Sequence, residues 1–275
     1  MQPRPAPIPI DDPEDPRVAP YRHVRERDLV GRQGLFIAEG QVVLRLLARA
    51  PGMETVSVLL AETRVAALAD ALAPLDRQVP VYAASQGVID AIAGFPLHRG
   101  ILALGRRRSA PTAEALLGAL PPRALVVGLH GIANHDNMGA LFRNAAAFGA
   151  DAVLLDSTCC DPLYRKAIRV SVGAALTMPF ARLAPDADMV AAMAAHGVAP
   201  LALSPAGRTA LADLRRPPRA GLILGAEGPG LPEDLLARAE SVSIPMAAGF
   251  DSLNVAVAAG IVLHHLAFAA GPSQP

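Results

Sequence analysis

The chain has 275 residues, 52% of them hydrophobic, and a formal net charge of zero. That length holds one large domain or two ordinary ones, and that composition builds a sizeable core without disulfide or metal staples. Zero net charge excludes a uniformly basic nucleic-acid-binding surface but leaves room for local patches.

Residues 1–20 are rich in proline and carry Asp11, Asp12, Glu14 and Asp15. They read as an extended or flexible arm, not as a signal peptide. A first α/β unit is expected over residues 21–105. Its strands are Leu35–Ala38, Thr55–Leu60, Val79–Tyr82 and Ile101–Leu104, and its helices Gly40–Arg49, Thr63–Leu72 and Ser85–Ala93. Residues 106–122 read as a linker, opened by Arg106-Arg107-Arg108 and holding a short helix, Ala113–Leu120. The second unit covers 123–275. Strands are expected at Ala124–Leu129, Ala152–Leu155, Ala199–Leu203, Gly221–Leu224 and Ser241–Ile244. Helices are expected at Met138–Phe148, Pro162–Val172, Asp186–Ala195, Pro232–Ala239 and Ser252–Phe268, with Ser252 as N-cap of the last. Strands alternating with helices predict a parallel sheet covered on both faces.

Several chemistries are disfavoured. Cys159 and Cys160 are adjacent, so they do not bridge each other readily, and no further ligand spacing makes a zinc site. Two thiols suit a reducing cytoplasm. His264 and His265 lie on different faces of a helix and cannot share one ion, so no metal is expected. Leu253–Leu263 is too short to span a bilayer. The run Gly225-Ala226-Glu227-Gly228-Pro229-Gly230 lacks the dinucleotide spacing, and its proline removes an N–H donor.

The most informative stretch is Leu222–Val255. Two apolar strands there empty into loops, Gly225–Leu231 and Ile244-Pro245-Met246 through Ser252-Leu253-Asn254-Val255. Upstream stands Asn137-Met138-Gly139-Ala140-Leu141-Phe142-Arg143-Asn144-Ala145. Together these three motifs, in order over Ala124–Leu266, resemble those of the SpoU/TrmH-type RNA 2′-O-ribose methyltransferases. Asn134-His135-Asp136-Asn137 replaces that family's commoner D-P-x-N, which leaves the first loop's geometry less defined.

The resemblance implies a C-terminal trefoil-knotted parallel-sheet domain, which periodicity alone does not show, and a smaller N-terminal α/β domain that binds the RNA substrate. Phe36–Gly40 and His98–Ile101 carry the weaker N-terminal part. It implies S-adenosylmethionine as cofactor, held by Leu203, Leu224, Gly225, Gly230, Ile244, Met246 and Leu253. It implies an rRNA or tRNA substrate, a homodimer in the cytoplasm, and no DNA or membrane partner. Arg143, Asn137, Glu227, Ser252 and Asn254 fall at its catalytic positions. A guanidinium ordinarily stays protonated, so Arg143 suits holding a phosphate or stabilising an alkoxide better than acting as a base. Glu227 orients the nucleotide, or braces its own turn through backbone N–H groups. Ser252 and Asn254 serve the site, the helix start, or both.

Arg165, Lys166 and Arg169 form a candidate RNA contact. Arg22, Arg25, Arg27, Arg32 and Arg106–Arg108 add possible phosphate contacts. Lys166 is the only lysine, and arginine forks match phosphate bidentately. With so few aromatics, recognition by shape and phosphate is expected. Two alternatives remain: an RNA-binding or assembly protein that transfers no methyl, and a methyltransferase acting on a base nitrogen.

Overall fold

A computed structural model describes residues 4–22, 30, 31, 33–248 and 252–268. The arginines at 25, 27 and 32 lie outside the described residues. The chain divides into two units, Met1–Ser109 with Asp161–Thr177, and Ala110–Cys160 with Met178–Pro275.

The first unit is built on a five-stranded sheet. Its strands are β1 (Ile8–Ile10), β2 (Leu35–Glu39), β3 (Met53–Ala61), β4 (Val81–Ala84) and β5 (Ile101–Arg107), in the order β1-β4-β3-β5-β2. β1, β4 and β3 run parallel; β5 is antiparallel to both its neighbours. Helices α1 (Gln41–Leu47), α2 (Ala69–Leu72) and α3 (Gln86–Ala93) connect them. Most of the expected helix Thr63–Leu72 is 3-10 turns instead, and only its end is α-helical.

The proline-rich start is not a free arm. Ile8 pairs with Tyr82 at the sheet edge, where Pro9 costs no ladder bond that the sheet needs. Ile10 and Val18 are buried, Tyr21 shares a hydrogen bond with Ser57 at 2.7 Å, and Arg4 donates to the carbonyls of Leu72, Asp76 and Val79. The supposed linker also begins inside the sheet, since Arg106 and Arg107 extend β5.

The second unit carries a seven-stranded, wholly parallel sheet. Its strands are β6 (Ala124–Leu129), β7 (Ala152–Leu155), β8 (Phe180–Arg182), β9 (Ala199–Leu203), β10 (Thr209–Ala210), β11 (Arg219–Leu224) and β12 (Glu240–Ser243). Their order is β10-β12-β9-β11-β6-β7-β8. β6 and β7 are buried at every residue, the mark of a sheet covered on both faces. The covering helices are α4 (Ala113–Gly118), α5 (His135–Ala147), α8 (Met189–Ala195), α9 (Glu233–Arg238) and α10 (Val255–Phe268).

Between them in sequence, α6 (Arg165–Val170) and α7 (Ala174–Thr177) group with the first unit, although the sequence reading placed them in the second. An ion pair holds them there: Arg165 Nε lies 3.0 Å from Glu39 Oε2 on β2. Among the described residues no helix is long and apolar enough to cross a membrane.

Candidate functional site

Adjacent strands β12, β9 and β11 end on one side of the sheet. Their C-terminal loops and the start of α10 enclose a cleft of about 390 Å³, within the usual size range of small-ligand sites. Leu203, Leu224, Gly225, Gly230, Ile244, Met246 and Leu253 all line it. Ser204 and Pro205 of the Leu203–Gly207 loop and Val255 of the last motif line it too, and so does Ala258, which the sequence does not single out. The only available signal for Ala258 was its place in the first turn of the last helix.

The loop after β11 folds back on itself. Ala226 and Gly230 form an isolated bridge, and Gly230 N–H donates to the Ala226 carbonyl at 3.1 Å. A Cβ on Gly225 would come within 2.5 Å of the Gly230 carbonyl carbon. Gly225 is therefore required by the loop's own closure, rather than by a ligand's approach. Gly207 has the same role beyond β9, where a Cβ would strike the Val242 backbone at 2.3 Å.

Asn254 ties the loops together. Its Nδ2 donates to Glu227 Oε1 at 2.8 Å and to Asn137 Oδ1 at 3.0 Å. Its Oδ1 accepts from the backbone N–H groups of Ala256 (2.9 Å) and Val257 (3.3 Å). Asn254 is thus the N-cap of α10, the place the sequence reading gave to Ser252; the helix starts at Val255, so the asparagine is one residue before it. Ser252 lines the cleft. Glu227 is exposed and held by this side-chain amide, not by backbone N–H groups of its own turn. Asn137 is only 7% exposed.

Asn137 enters the cluster because α5 starts early. Asn134 caps the helix, accepting from the N–H groups of Asp136 and Asn137, so the departure from D-P-x-N still makes a tight helix start. The expected start at Met138 shifts to His135. Arg143 stands apart. It follows Asn137 by six residues, about 9 Å along the helix and on another face. It is exposed, has no hydrogen-bond or ion-pair partner among the described residues, and does not line the cleft. α5 itself is fixed to the last helix, since Asn144 Nδ2 donates to the Ala256 carbonyl at 2.7 Å.

Beside the cleft, His130 follows β6 and its N–H donates to the Leu224 carbonyl. Its Nε2 lies 3.6 Å from Asp156 Oδ2. Burial pushes the Asp156 carboxyl up, but donation from Cys159, Thr158 and Gly131 outweighs this and holds it below the ordinary carboxylate value. Burial, aided by that carboxylate, pushes the Cys159 thiol up to about 12, so it is inert at neutral pH. No group of three or more potential metal ligands occurs among the described residues.

The three basic residues of α6 differ. Lys166 and Arg169 are exposed, whereas Arg165 is engaged by Glu39 and by the ring of Phe95. Arg22 pairs with Glu14 and Arg106 with Glu54. These two arginines are therefore not the free phosphate contacts they promised to be.

Fold and cleft together define an α/β protein whose ligand site is made from strand-end loops of a parallel sheet. Residues 124–264 match the model of the SpoU rRNA Methylase family, and the chain belongs to that family. An uncharacterised tRNA/rRNA methyltransferase of Mycobacterium bovis is 39% identical over 266 residues, covering 93% of this chain and 90% of that protein. Among solved structures, the AdoMet-bound rRNA methyltransferase of Sinorhizobium meliloti superposes with a TM-score of 0.79 at 24% identity, over 94% of this chain and 97% of that one. An RNA 2′-O ribose methyltransferase gives 0.77 at 25% identity, over 94% and 98%.

Proposed function

We propose that this chain transfers a methyl group from S-adenosylmethionine to a ribose 2′-hydroxyl of structured rRNA or tRNA, as a cytoplasmic homodimer. The cleft carries the reading. Every residue that the family resemblance assigns to the cofactor lines it, and its apolar walls and strand-end backbone fit an adenosyl group. A structural relative named for 2′-O ribose methylation, and another solved with AdoMet, support the same assignment. The trefoil knot implied by the resemblance belongs to this proposal.

The cofactor supplies an activated methyl on a sulfonium, so this chain's task is mainly positioning. Asn254 holds the Glu227 loop against the start of α10, and Asn137 fixes the amide that does so. Glu227, exposed at the rim, is assigned to orient the nucleotide. Arg143 is assigned to the substrate phosphate and the developing alkoxide.

A second copy brings Arg143 into play. α10 is apolar apart from His264 and His265, yet Val257, Ile261 and Phe268 are 54%, 41% and 69% exposed on one stripe, which also carries His264. Such a helix calls for cover, and a symmetric partner supplies it. Calorimetric titration with S-adenosylmethionine and S-adenosylhomocysteine tests the cleft: micromolar binding is expected, and no binding by a folded dimer would favour an RNA-binding protein without transfer. Mixing Arg143→Ala with Gly225→Val chains tests the shared site. Partial recovery of activity is expected, and none would place Arg143 in its own chain's site.

A further inference from the structure

The first unit has one exposed aromatic ring among its described residues, Phe95, with 45% of its surface open. Its other aromatics, Tyr21, Phe36, Tyr82 and Tyr164, are buried or half-buried. Phe95 sits in the turn after α3, and that turn is pinned at Leu97. Asp90 accepts from the Leu97 N–H at 2.8 Å, Gln86 donates to the Leu97 carbonyl at 3.0 Å, and Gly100 N–H closes back on the same carbonyl.

The ring is backed by charge. The Arg165 guanidinium carbon lies 4.8 Å from the ring centroid. Its position is not left to chance, because Glu39 anchors it. A guanidinium stacked on a ring is itself a favourable pair, and ordering it from behind makes the ring a rigid two-layer platform. One more cation, Arg99, follows in the same turn, next to His98. His98 and Arg99 are exposed, and neither has a partner among the described residues. The Arg99 Nη1 lies 3.4 Å from where a Gly40 Cβ would stand, beside Glu39. A flat apolar surface beside an exposed, unpaired arginine fits one ligand chemistry well: an unpaired nucleobase whose flanking phosphate meets that arginine. A buried-core role does not account for the ring's exposure, and a phosphate-only surface does not need a ring.

We propose that Phe95 is a stacking platform for an unpaired base of the RNA substrate, with Arg99 holding an adjacent phosphate and Arg165 acting through the ring. This rests on the RNA-directed reading above and adds to it: the first unit selects a flipped or looped-out nucleotide, not only a helical shape. Paired bases are stacked on each other and cannot use such a platform.

The test compares two RNA probes with the full-length protein: a hairpin carrying 2-aminopurine in its loop, and a fully paired duplex of the same composition. Wild type is expected to prefer the hairpin and to quench 2-aminopurine fluorescence. Phe95→Leu should weaken hairpin binding roughly 5- to 100-fold and abolish the quench, with duplex binding unchanged. Phe95→Tyr should restore both. Equal hairpin affinity in Phe95→Leu, or no hairpin preference and no quench in wild type, overturns the proposal. S-adenosylmethionine titration of the same variants keeps the two readings separate. Absent cofactor binding defeats the methyl-transfer reading alone, while the hairpin comparison still judges the platform.

Discussion

Replacing Asn254 separates its two jobs. In Asn254→Ala, α10 loses its N-cap, which costs about 1 kcal/mol. The Asn137 amide oxygen, buried at 7% exposure, loses the donor 3.0 Å away, and leaving such a group unpaired costs about 1–3 kcal/mol. The bond to Glu227 adds little to stability, because that carboxylate is exposed and solvent replaces the donor. The expected loss is about 2–4 kcal/mol. Asn254→Asp behaves differently. A carboxylate caps a helix as well as an amide and is favoured by the helix dipole. The Asn137 amide can turn to donate to it. What remains is repulsion from Glu227, about 1 kcal/mol for two charges 4 Å apart in water-like surroundings. Both variants, however, cut the bond that joins the Glu227 loop to α10, so both should bind S-adenosylmethionine at least tenfold more weakly. Urea unfolding followed by circular dichroism, paired with calorimetric titration, reads both effects. If Ala and Asp are equally stable, the cap assignment is wrong. If both bind the cofactor like wild type, the Asn254 bridge does not shape the cleft.

Gly225→Val should reduce cofactor affinity by at least tenfold, because its side chain meets the Gly230 backbone, which cannot give way without opening the loop; unchanged affinity in titration would refute that. Arg143→Ala should keep both fold and cofactor affinity, since the side chain is exposed and outside the cleft, while methyl transfer falls by about a hundredfold or more. Wild-type turnover in a radiolabel transfer assay would remove Arg143 from the mechanism. Asp156 titrates below the ordinary carboxylate range when folded, so its contribution is complete above pH of about 4 and fades as pH falls through the folded value. Asp156→Asn should therefore lose about 1–3 kcal/mol near neutrality and flatten the acid limb of the stability profile. An acid limb identical to wild type would assign that slope to other carboxylates.

The strands of the second unit were legible because parallel strands buried on both faces read as unbroken apolar runs. Ala124–Leu129, Ala152–Leu155 and Ala199–Leu203 have the boundaries that their composition implies. Helix starts were harder. Asn134 and Asn254 each cap one residue before the helix, and both compete in sequence with plausible neighbours such as Ser252. β1 was hidden by Pro9, since proline argues against a strand unless the strand lies at an edge. The cleft lining could be named from loop motifs, but the collision that makes Gly225 obligatory is with Gly230, and only the folded loop shows it. Long-range partners were invisible: Arg165 looked like a free phosphate contact because Glu39 is 126 residues away. The grouping of α6 and α7 with the first unit has the same origin.

The most direct measurement is to incubate the protein with methyl-labelled S-adenosylmethionine and unmodified rRNA and tRNA, then hydrolyse the labelled RNA in alkali. A 2′-O-methyl group blocks cleavage at its own nucleotide, because the ribose hydroxyl that attacks the phosphodiester is capped. Label is expected in alkali-stable dinucleotides. Label in mononucleotides would place the methyl on a base, and unlabelled RNA alongside a cofactor-binding protein would contradict transfer itself.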